Sequence, residues 1–516
     1  MHAHNRAESL RFPSAAASPA KCCSRCRPPA APSPSAATAQ AHPLAQVGDS
    51  VGYQIRFDSS RSQGTRVLFL TEGLLLRQMQ ADPMLSDYSC IVLDEVHERH
   101  LTMDLLLAIL RALLRVRNDL HLVLMSATAN VQMFAQYFSA PICTVPGRCY
   151  PVQVQYHPPP DEQRLEPKPI TRVAGVSAPP QRRRRLEFNC APYMKLLSYI
   201  EQKFPWEERG DVLVFLPGIN EISALQAALA ERAQQSSSSR WIVLPLHSTV
   251  SADEQDKVFD LAPDGSRKII LATNIAETSI TIDGIRFVVD SGRAKDMVYD
   301  ETTRTHSLKE YTVCKASAEQ RKGRAGRTGP GICFRIYSER VYDDMPEFPV
   351  PEIHKAPLES LALSIKNMKL GDPRRFPFVD PPPLHRMDAA LLRLRDMGCV
   401  RGSEEDLTAL GSVLAALPVD VGVGKMLVLG TLFDLADECL TLAAALATQS
   451  PLLRVEEGSS CLQMRRELLS DDGDPFTIMN MYVPTVTSKI PPTNYTAQPL
   501  CPHTHHHVRR VDRCQG

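Results

Sequence analysis

The feature that most restricts this fold is a recurrence of short, unbroken Val/Ile/Leu runs separated by longer segments with helical spacing. RVLFL (66–70), IVLDE (91–95) and HLVLMSAT (121–128) come first, with TEGLLLRQM and LTMDLLLAILRALLRV between them. DVLVFLPG, WIVLPLHS, RKIILATN and IRFVVDSG follow across residues 211–292, with a helical stretch EISALQAALAERA after the first of them. Strands that are apolar along their whole length are buried on both faces, the property of parallel sheets covered by helices on each side. Two such α/β units joined by a polar stretch imply a cleft between them, a common place for a ligand.

At 516 residues the chain has room for more than one core. Its formal net charge is zero, so any polyanion must be held by local basic clusters rather than a global field. Fourteen cysteines scattered through apparent strands and helices do not make a disulfide framework, and an intracellular compartment, nucleus or cytoplasm, fits better. The longest apolar stretches are interrupted by Asp, Glu or Arg before the ~18 residues a membrane helix needs, so no membrane association is expected.

The composition divides the chain. Residues 1–45 are Ala/Pro/Ser-rich and expected to be disordered. Residues 46–157 form a first α/β unit, 158–187 a linker or insertion carrying RRRR, and 188–350 a second α/β unit. Leu/Ala-rich helical modules follow over 351–418 and 419–478, then an irregular tail over 479–516.

Three clusters carry chemistry. In IVLDE a strand delivers Asp94 and Glu95 to the carboxyl edge of the sheet, where open α/β sheets bind ligands. One carboxylate there suits Mg2+ and its neighbour suits orienting an attacking water. The plainer alternative is a carboxylate pair that only favours a helix N-terminus. His97 and His100 do not make a zinc protease box, which needs histidines four apart with Glu between. ATNIAETSITIDG (272–284) follows a strand and is dense in small hydroxyl residues suited to a nucleotide or sugar–phosphate backbone. QRKGRAGRTGPG (320–331) spaces Arg321, Arg324 and Arg327 by three, which places the guanidiniums roughly on one helical face. Such groups suit phosphate, and Gly323 and Gly326 permit close backbone approach. A solvated basic face is the alternative for that run alone.

Taken in order, these elements resemble the DEAH-box RNA helicase family of superfamily 2. TEGLLLR resembles motif Ib, DEVH motif II, SAT motif III, LVFLPG motif IV, ATNIAETSITIDG motif V and QRKGRAGR motif VI. The likeness covers roughly residues 46–478 and is nearest to the animal member associated with nonsense-mediated mRNA decay. It implies an α/β fold of two RecA-like parallel-sheet domains, the first N-terminally truncated, then a helical winged-helix and ratchet module. ATP and Mg2+ would be the cofactors, and single-stranded RNA and mRNA-decay factors the partners.

By the same resemblance, Asp94 holds Mg2+ and Glu95 positions the lytic water, with His97 in the same catalytic group. Gln320, Arg324 and Arg327 face the γ-phosphate. Phe259, Ser279, Asp283 and Lys295 lie on the nucleotide, and Ser126 and Thr128 couple the two sites. Thr71, Glu72, Gly73, Thr273 and Asn274 lie along RNA.

The family's phosphate loop, GxxxxGK[ST], does not occur in the 516 residues. The near miss Gly422–Met426 (GVGKM) lacks the spacing and the hydroxyl residue. The arginine-rich motif Ia expected before VGYQIRF does not occur either. Losing a single preorganised donor costs about 3–4 kcal/mol of transition-state stabilisation, so catalysis by this chain is expected to be impaired, and the first sheet to have an exposed edge. Two readings stand: an ATP-dependent RNA helicase, and a non-catalytic RNA- or protein-binding form of one. The HTHHH tract and the lone CSRC (23–26) read as unpatterned rather than metal-binding.

Overall fold

The computed structural model describes residues 21–24, 48–160, 188–447 and 468–487, leaving out 57, 128–129, 146, 148–149, 206–209, 236–239, 278–279, 301–302 and 304. The linker 158–187 and the HTHHH tract lie almost entirely or wholly outside the described residues. Residues 1–357 with 376–382 form one compact unit, which contains two six-stranded sheets and a two-stranded ribbon among the described residues, and 358–375 with 383–516 form a second.

The first sheet runs β3 (Asp58–Ser60), β2 (Val51–Ile55), β4 (Val67–Leu70), β1 (Lys21–Ser24), β5 (Tyr88–Leu93), β6 (His121–Leu124). Only the β2–β3 pair is antiparallel. Its helices are α1 (Glu72–Ala81), α2 (Leu101–Leu113) and α3 (Val131–Phe138). α1 starts at the extended Thr71 with Glu72 in its first turn and buries Leu75 and Met79, one turn apart. α2 is apolar nearly all round and buries nine residues, as its sequence requires.

Lys21–Ser24 corrects the expectation that 1–45 is wholly disordered. This strand is parallel to both neighbours, with Cys22 opposite Val67 and Cys23 opposite Ile91. A gap between β4 and β5 offers backbone donors and acceptors on both sides, and four extended residues suffice to pair with them whatever the composition around them. β1 thus lies between β4 and β5, so no edge is opened inside the sheet; its outer strands are β3 and β6, and β6 has β5 as its one neighbour among the described residues. Val123 on β6 is 45% exposed.

The second sheet, order β7–β14–β11–β8–β10–β9, is parallel throughout. Its strands are β7 (Val152–Tyr156), β8 (Asp211–Phe215), β9 (Trp241–Leu246), β10 (Arg267–Ala272), β11 (Ile285–Asp290) and β14 (Gly331–Arg335). Val152–Tyr156, which the sequence places in the first unit, therefore completes the second sheet. Position in the chain does not fix sheet membership, because the crossover precedes the linker. Alternate residues feed two cores. Val212, Val214, Ile269, Leu271 and Val289 meet α4 (Ala191–Lys203) and α5 (Ile219–Gln235) on one face. Leu213, Phe215, Ile270 and Val288 pack with Val258 and Ile280 on the other. The short α6 (Ala252–Asp256) precedes Val258. The ribbon β12 (Arg293–Asp300)–β13 (Thr305–Thr312) pairs eight residues in register. α7 (Lys315–Gly323) and α8 (Glu339–Asp343) complete this lobe.

The second unit holds α9 (Glu359–Asn367), α10 (Leu384–Asp396), the ribbon β15 (Val400–Arg401)–β16 (Asp406–Leu407), α11 (Ala409–Ala416), α12 (Val421–Leu432) and α13 (Ala436–Ala447). Its last helix, α14 (Asp474–Thr487), enters the stretch expected to be an irregular tail. Asp474–Pro475 is a helix-start signal, and the apolar residues after it sustain the helix. GVGKM lies inside α12, so it forms helix and not a phosphate loop. No single helix among the described residues is long and apolar enough to cross a membrane.

Candidate functional site

β5 ends at Leu93, and the chain turns sharply through Asp94–His100 before α2 begins. Two non-glycine residues in this turn, Glu95 (φ 55°) and Arg99 (φ 53°), take left-handed backbone, a strained conformation that surrounding contacts must maintain. Several do. The Glu95 amide donates to Asp94 Oδ1 at 3.1 Å, and the Val96 amide to the Met125 carbonyl at 3.2 Å, tying the turn to the chain leaving β6. Arg99 makes a two-pronged bond to Asp104 at 2.7 and 3.0 Å, with both side chains buried. Burial pushes the Asp104 carboxyl up against the pull of Arg99.

His97, 9% exposed, reaches from this turn to the second lobe, where its Nε2 lies 2.7 Å from the Gln320 amide nitrogen on α7. Burial pushes the imidazole below its ordinary value, outweighing Glu98 and Asp94, so the ring is neutral at pH 7. A neutral ring has one N–H. If Nε2 accepts from Gln320, the proton sits on Nδ1, 3.5 Å from Glu95 Oε2. If Nδ1 instead accepts from the Ala127 amide, also at 3.5 Å, Nε2 donates to the carboxamide oxygen of a flipped Gln320. Both tautomers keep the bond between the lobes. Each also orients one partner, Glu95 in the first case and the Ser126–Ala127 turn in the second.

Around Gln320 the arginine run separates by role. Arg321 is fully buried between Glu277 (3.0 Å) and Asp290 (2.8 Å), above the Phe215 ring. Burial alone would lower its pKa, but the two carboxylates outweigh that and raise it. It is therefore neither a solvated cation nor one of three guanidiniums on an open face, because α7 ends at Gly323 and a 3-10 turn takes over. Arg324, 8% exposed, donates to the carbonyls of Ile280 (2.9 Å) and Glu277, pinning the 272–284 segment to the arginine turn. Arg327 follows that turn and is half-buried.

Two glycines of this run serve packing within the protein, whereas a Cβ on Gly323 would meet nothing within 4 Å. A Cβ on Gly326 would meet the Tyr150 carbonyl oxygen at 2.7 Å, and one on Gly331 the Ala325 carbonyl oxygen at 2.4 Å.

The remaining sequence-derived residues are dispersed over the same two lobes. Thr71 and Glu72 are half-buried at the start of α1, and Gly73 is exposed. Burial raises Glu72 to about 6, with His100 opposing and Glu98 and Glu352 reinforcing the shift. Thr273 and the exposed Asn274 follow β10, Asp283 is exposed beyond them, and Phe259 is 40% exposed. Lys295 is engaged by both oxygens of Glu221 at 2.7 Å. Ser126 is half-buried. Ser279 and Thr128 lie outside the described residues.

Sequence reasoning missed Glu221, Glu277 and Asp290, which hold these cations in place. An acid within a few residues of a strand end was the available signal. It also missed Glu352, which meets the motif II turn from 251 residues away.

Asp94 is half-buried beside Glu95, and a hard carboxylate-oxygen donor of this kind suits Mg2+. Among the described residues no group of three or more His, Cys, Asp or Glu is arranged to hold a metal by itself.

Two six-stranded sheets in one compact unit, parallel except for the β2–β3 pair and joined through a histidine on one and a glutamine on the other, define a pair of RecA-like domains of the helicase type. The comparisons with known proteins agree. The Helicase conserved C-terminal domain family matches residues 194–329, and the Helicase associated domain (HA2), ratchet-like, matches residues 420–478. The chain is 52% identical over 441 residues to the Homo sapiens protein named Probable ATP-dependent RNA helicase DHX34, covering 85% of this chain and 37% of that protein. It is 38% identical over 489 residues to the Mus musculus ATP-dependent RNA helicase DHX29, covering 84% of this chain and 36% of that protein. The crystal structure of Escherichia coli DEAH/RHA helicase HrpB matches with a TM-score of 0.70 and 31% identity, over 90% of this chain and 55% of that one. The chain thus spans little more than a third of the length of these curated relatives. It belongs to the DEAH-box helicase family.

Proposed function

We propose that this chain carries the core of an ATP-dependent RNA helicase, in which ATP hydrolysis drives RNA translocation and unwinding. The observation that carries the reading is the 2.7 Å contact between His97 and Gln320, which sets the arginine turn of one lobe against the acid pair of the other. A triphosphate held between such walls meets carboxylates from one side and a guanidinium-bearing turn from the other, the division of labour of phosphoryl transfer. Mg2+ bound with ATP would neutralise phosphate charge, and Asp94 is the residue to hold it. Glu95, 3.5 Å from His97, is assigned to orienting the attacking water. Arg327 is the guanidinium assigned to the phosphate. Arg324 fixes Glu277 and Ile280 and so shapes the segment that Thr273 and Asn274 present to RNA. Phe259, Asp283 and Ser279 are assigned to the nucleotide and Thr71, Glu72 and Gly73 to the RNA backbone.

No GxxxxGK[ST] sequence occurs in the 516 residues, and we assign impaired hydrolysis to the chain by itself. The resemblance further supports mRNA-decay factors as partners and a nuclear or cytoplasmic location.

The test is RNA-stimulated phosphate release by purified residues 1–516 beside Glu95→Gln. We expect slow release, RNA-dependent and removed by the substitution. Turnover near about 10 s−1, an ordinary enzyme value, would overturn the impairment. Salt-sensitive RNA binding with no release at all would favour the non-catalytic reading. Absence of RNA binding would end both.

A further inference from the structure

The segment leaving the second lobe carries a contact that the proposed chemistry does not use. Residues Glu352–His354 form a single 3-10 turn with Ile353 fully buried. The Glu352 side chain accepts from the Leu101 amide at 2.7 Å, at the first residue of α2, and lies 3.6 Å from His100 Nδ1. The Glu352 amide in turn donates to the Arg99 carbonyl at 3.1 Å. His100 is held from its other side by Glu98, at 2.9 Å. Three residues further on, Lys355 pairs with Asp296 on β12 of the second lobe. His354 is bonded to Asp380 at 2.8 Å, which anchors the turn between the two attachments.

Glu352 and His100 are 39% and 51% exposed, so as an ion pair alone they contribute little. The amide bond matters more. It is charge-assisted, it satisfies a helix-start N–H, and it places negative charge at the positive end of α2. It also acts on the residue that directly follows the strained turn begun at Glu95.

We propose that Glu352 is a positioning residue for the Asp94–His100 turn. Through the Leu101 amide, the Arg99 carbonyl and His100 it holds the turn in the pose in which His97 meets Gln320. Lys355 fastens the same short segment to Asp296, so residues 352–355 brace one lobe against the other. The inference rests on the helicase reading for the catalytic meaning of the turn, but not for the brace itself.

The test is hydrogen exchange on the full chain, comparing wild type with Glu352→Ala and Glu352→Gln. In Glu352→Ala, peptides covering residues 95–104 should exchange about tenfold faster. The core strands Asp211–Phe215 and Arg267–Ala272 should keep their protection. Glu352→Gln should recover most of it, because a carboxamide oxygen still accepts from Leu101. Phosphate release, where present, should fall in kcat with the KM for ATP unchanged. Wild-type exchange at 95–104 in Glu352→Ala would overturn the proposal, as would equal loss of protection in the core strands, the mark of a merely structural role. If the wild-type chain releases no phosphate, the catalytic reading fails while the exchange data still decide the brace.

Discussion

The two sheets of the compact unit are built from similar strands but sit in different surroundings. In the second lobe β8 and β10 are buried at every position, and β11 at all but one. In the first lobe β4 alternates between buried and half-buried, and no residue of the edge strand β6 is buried. The same residue types thus do unequal work. Ile270 and Leu271 each face a core, whereas Val123 faces solvent. A Val/Ile/Leu run reports that a strand belongs to a two-faced sheet, but the cover on each face comes from other elements.

The largest effect that sharpens this contrast should come from Asp290→Ala. Asp290 is fully buried and accepts from Arg321, the Gly292 amide (2.9 Å) and the Tyr337 hydroxyl (2.8 Å). Removing it leaves a buried guanidinium with Glu277 as its one remaining carboxylate partner, and about 3–5 kcal/mol of second-lobe stability should be lost in denaturant unfolding. Tyr337→Phe, which keeps the carboxylate, should cost far less.

A subtler pair compares the lobes directly. Ile270→Val removes one methylene from a fully buried site and should cost about 1 kcal/mol. Val123→Ala removes two carbons from the exposed edge and should stay within about 0.5 kcal/mol. A larger cost at Val123 would mean that β6 is covered in solution, and the contrast between the lobes would fall.

The smallest effect is in pH. Glu352 and Glu98 raise His100 to about 10 against burial, above its ordinary value near 6.5. Between these values the folded chain binds more protons than the unfolded one, so stability falls as pH rises. The contribution is complete below about 6.5 and gone above about 10. On a half-exposed ring it should be under about 1 kcal/mol. His100→Gln should flatten the pH dependence of first-lobe unfolding across that window, and an unchanged slope would remove His100 as its cause.

Much of this architecture was legible from the chain. The strands ending at Leu70, Leu93, Leu124, Phe215, Leu246, Ala272 and Asp290, and the helices between several of them, follow from apolar runs and their spacing. What was not legible depends on partners distant in sequence. Lys21–Ser24 has no pattern of its own and is a strand because two others leave a place for it. Val152–Tyr156 reads as the end of one unit and pairs in the next. Arg321 looks like its phosphate-seeking neighbours until Glu277 and Asp290 enclose it. The glycines of the arginine run suggested room for a ligand, whereas Gly326 and Gly331 make room for the backbone of Tyr150 and Ala325.

The hydrogen bond from Leu101 to Glu352 spans 251 residues of chain, and so has a consequence for synthesis. At about 5–20 residues per second on the ribosome, roughly 13–50 s pass between the emergence of its two ends. Through that interval the nascent first lobe has its acid pair but not the acceptor that completes the turn beneath it. The turn that carries the acid pair is therefore completed by a residue made after the strands of the second lobe, and it gains that support only once the second lobe has left the tunnel.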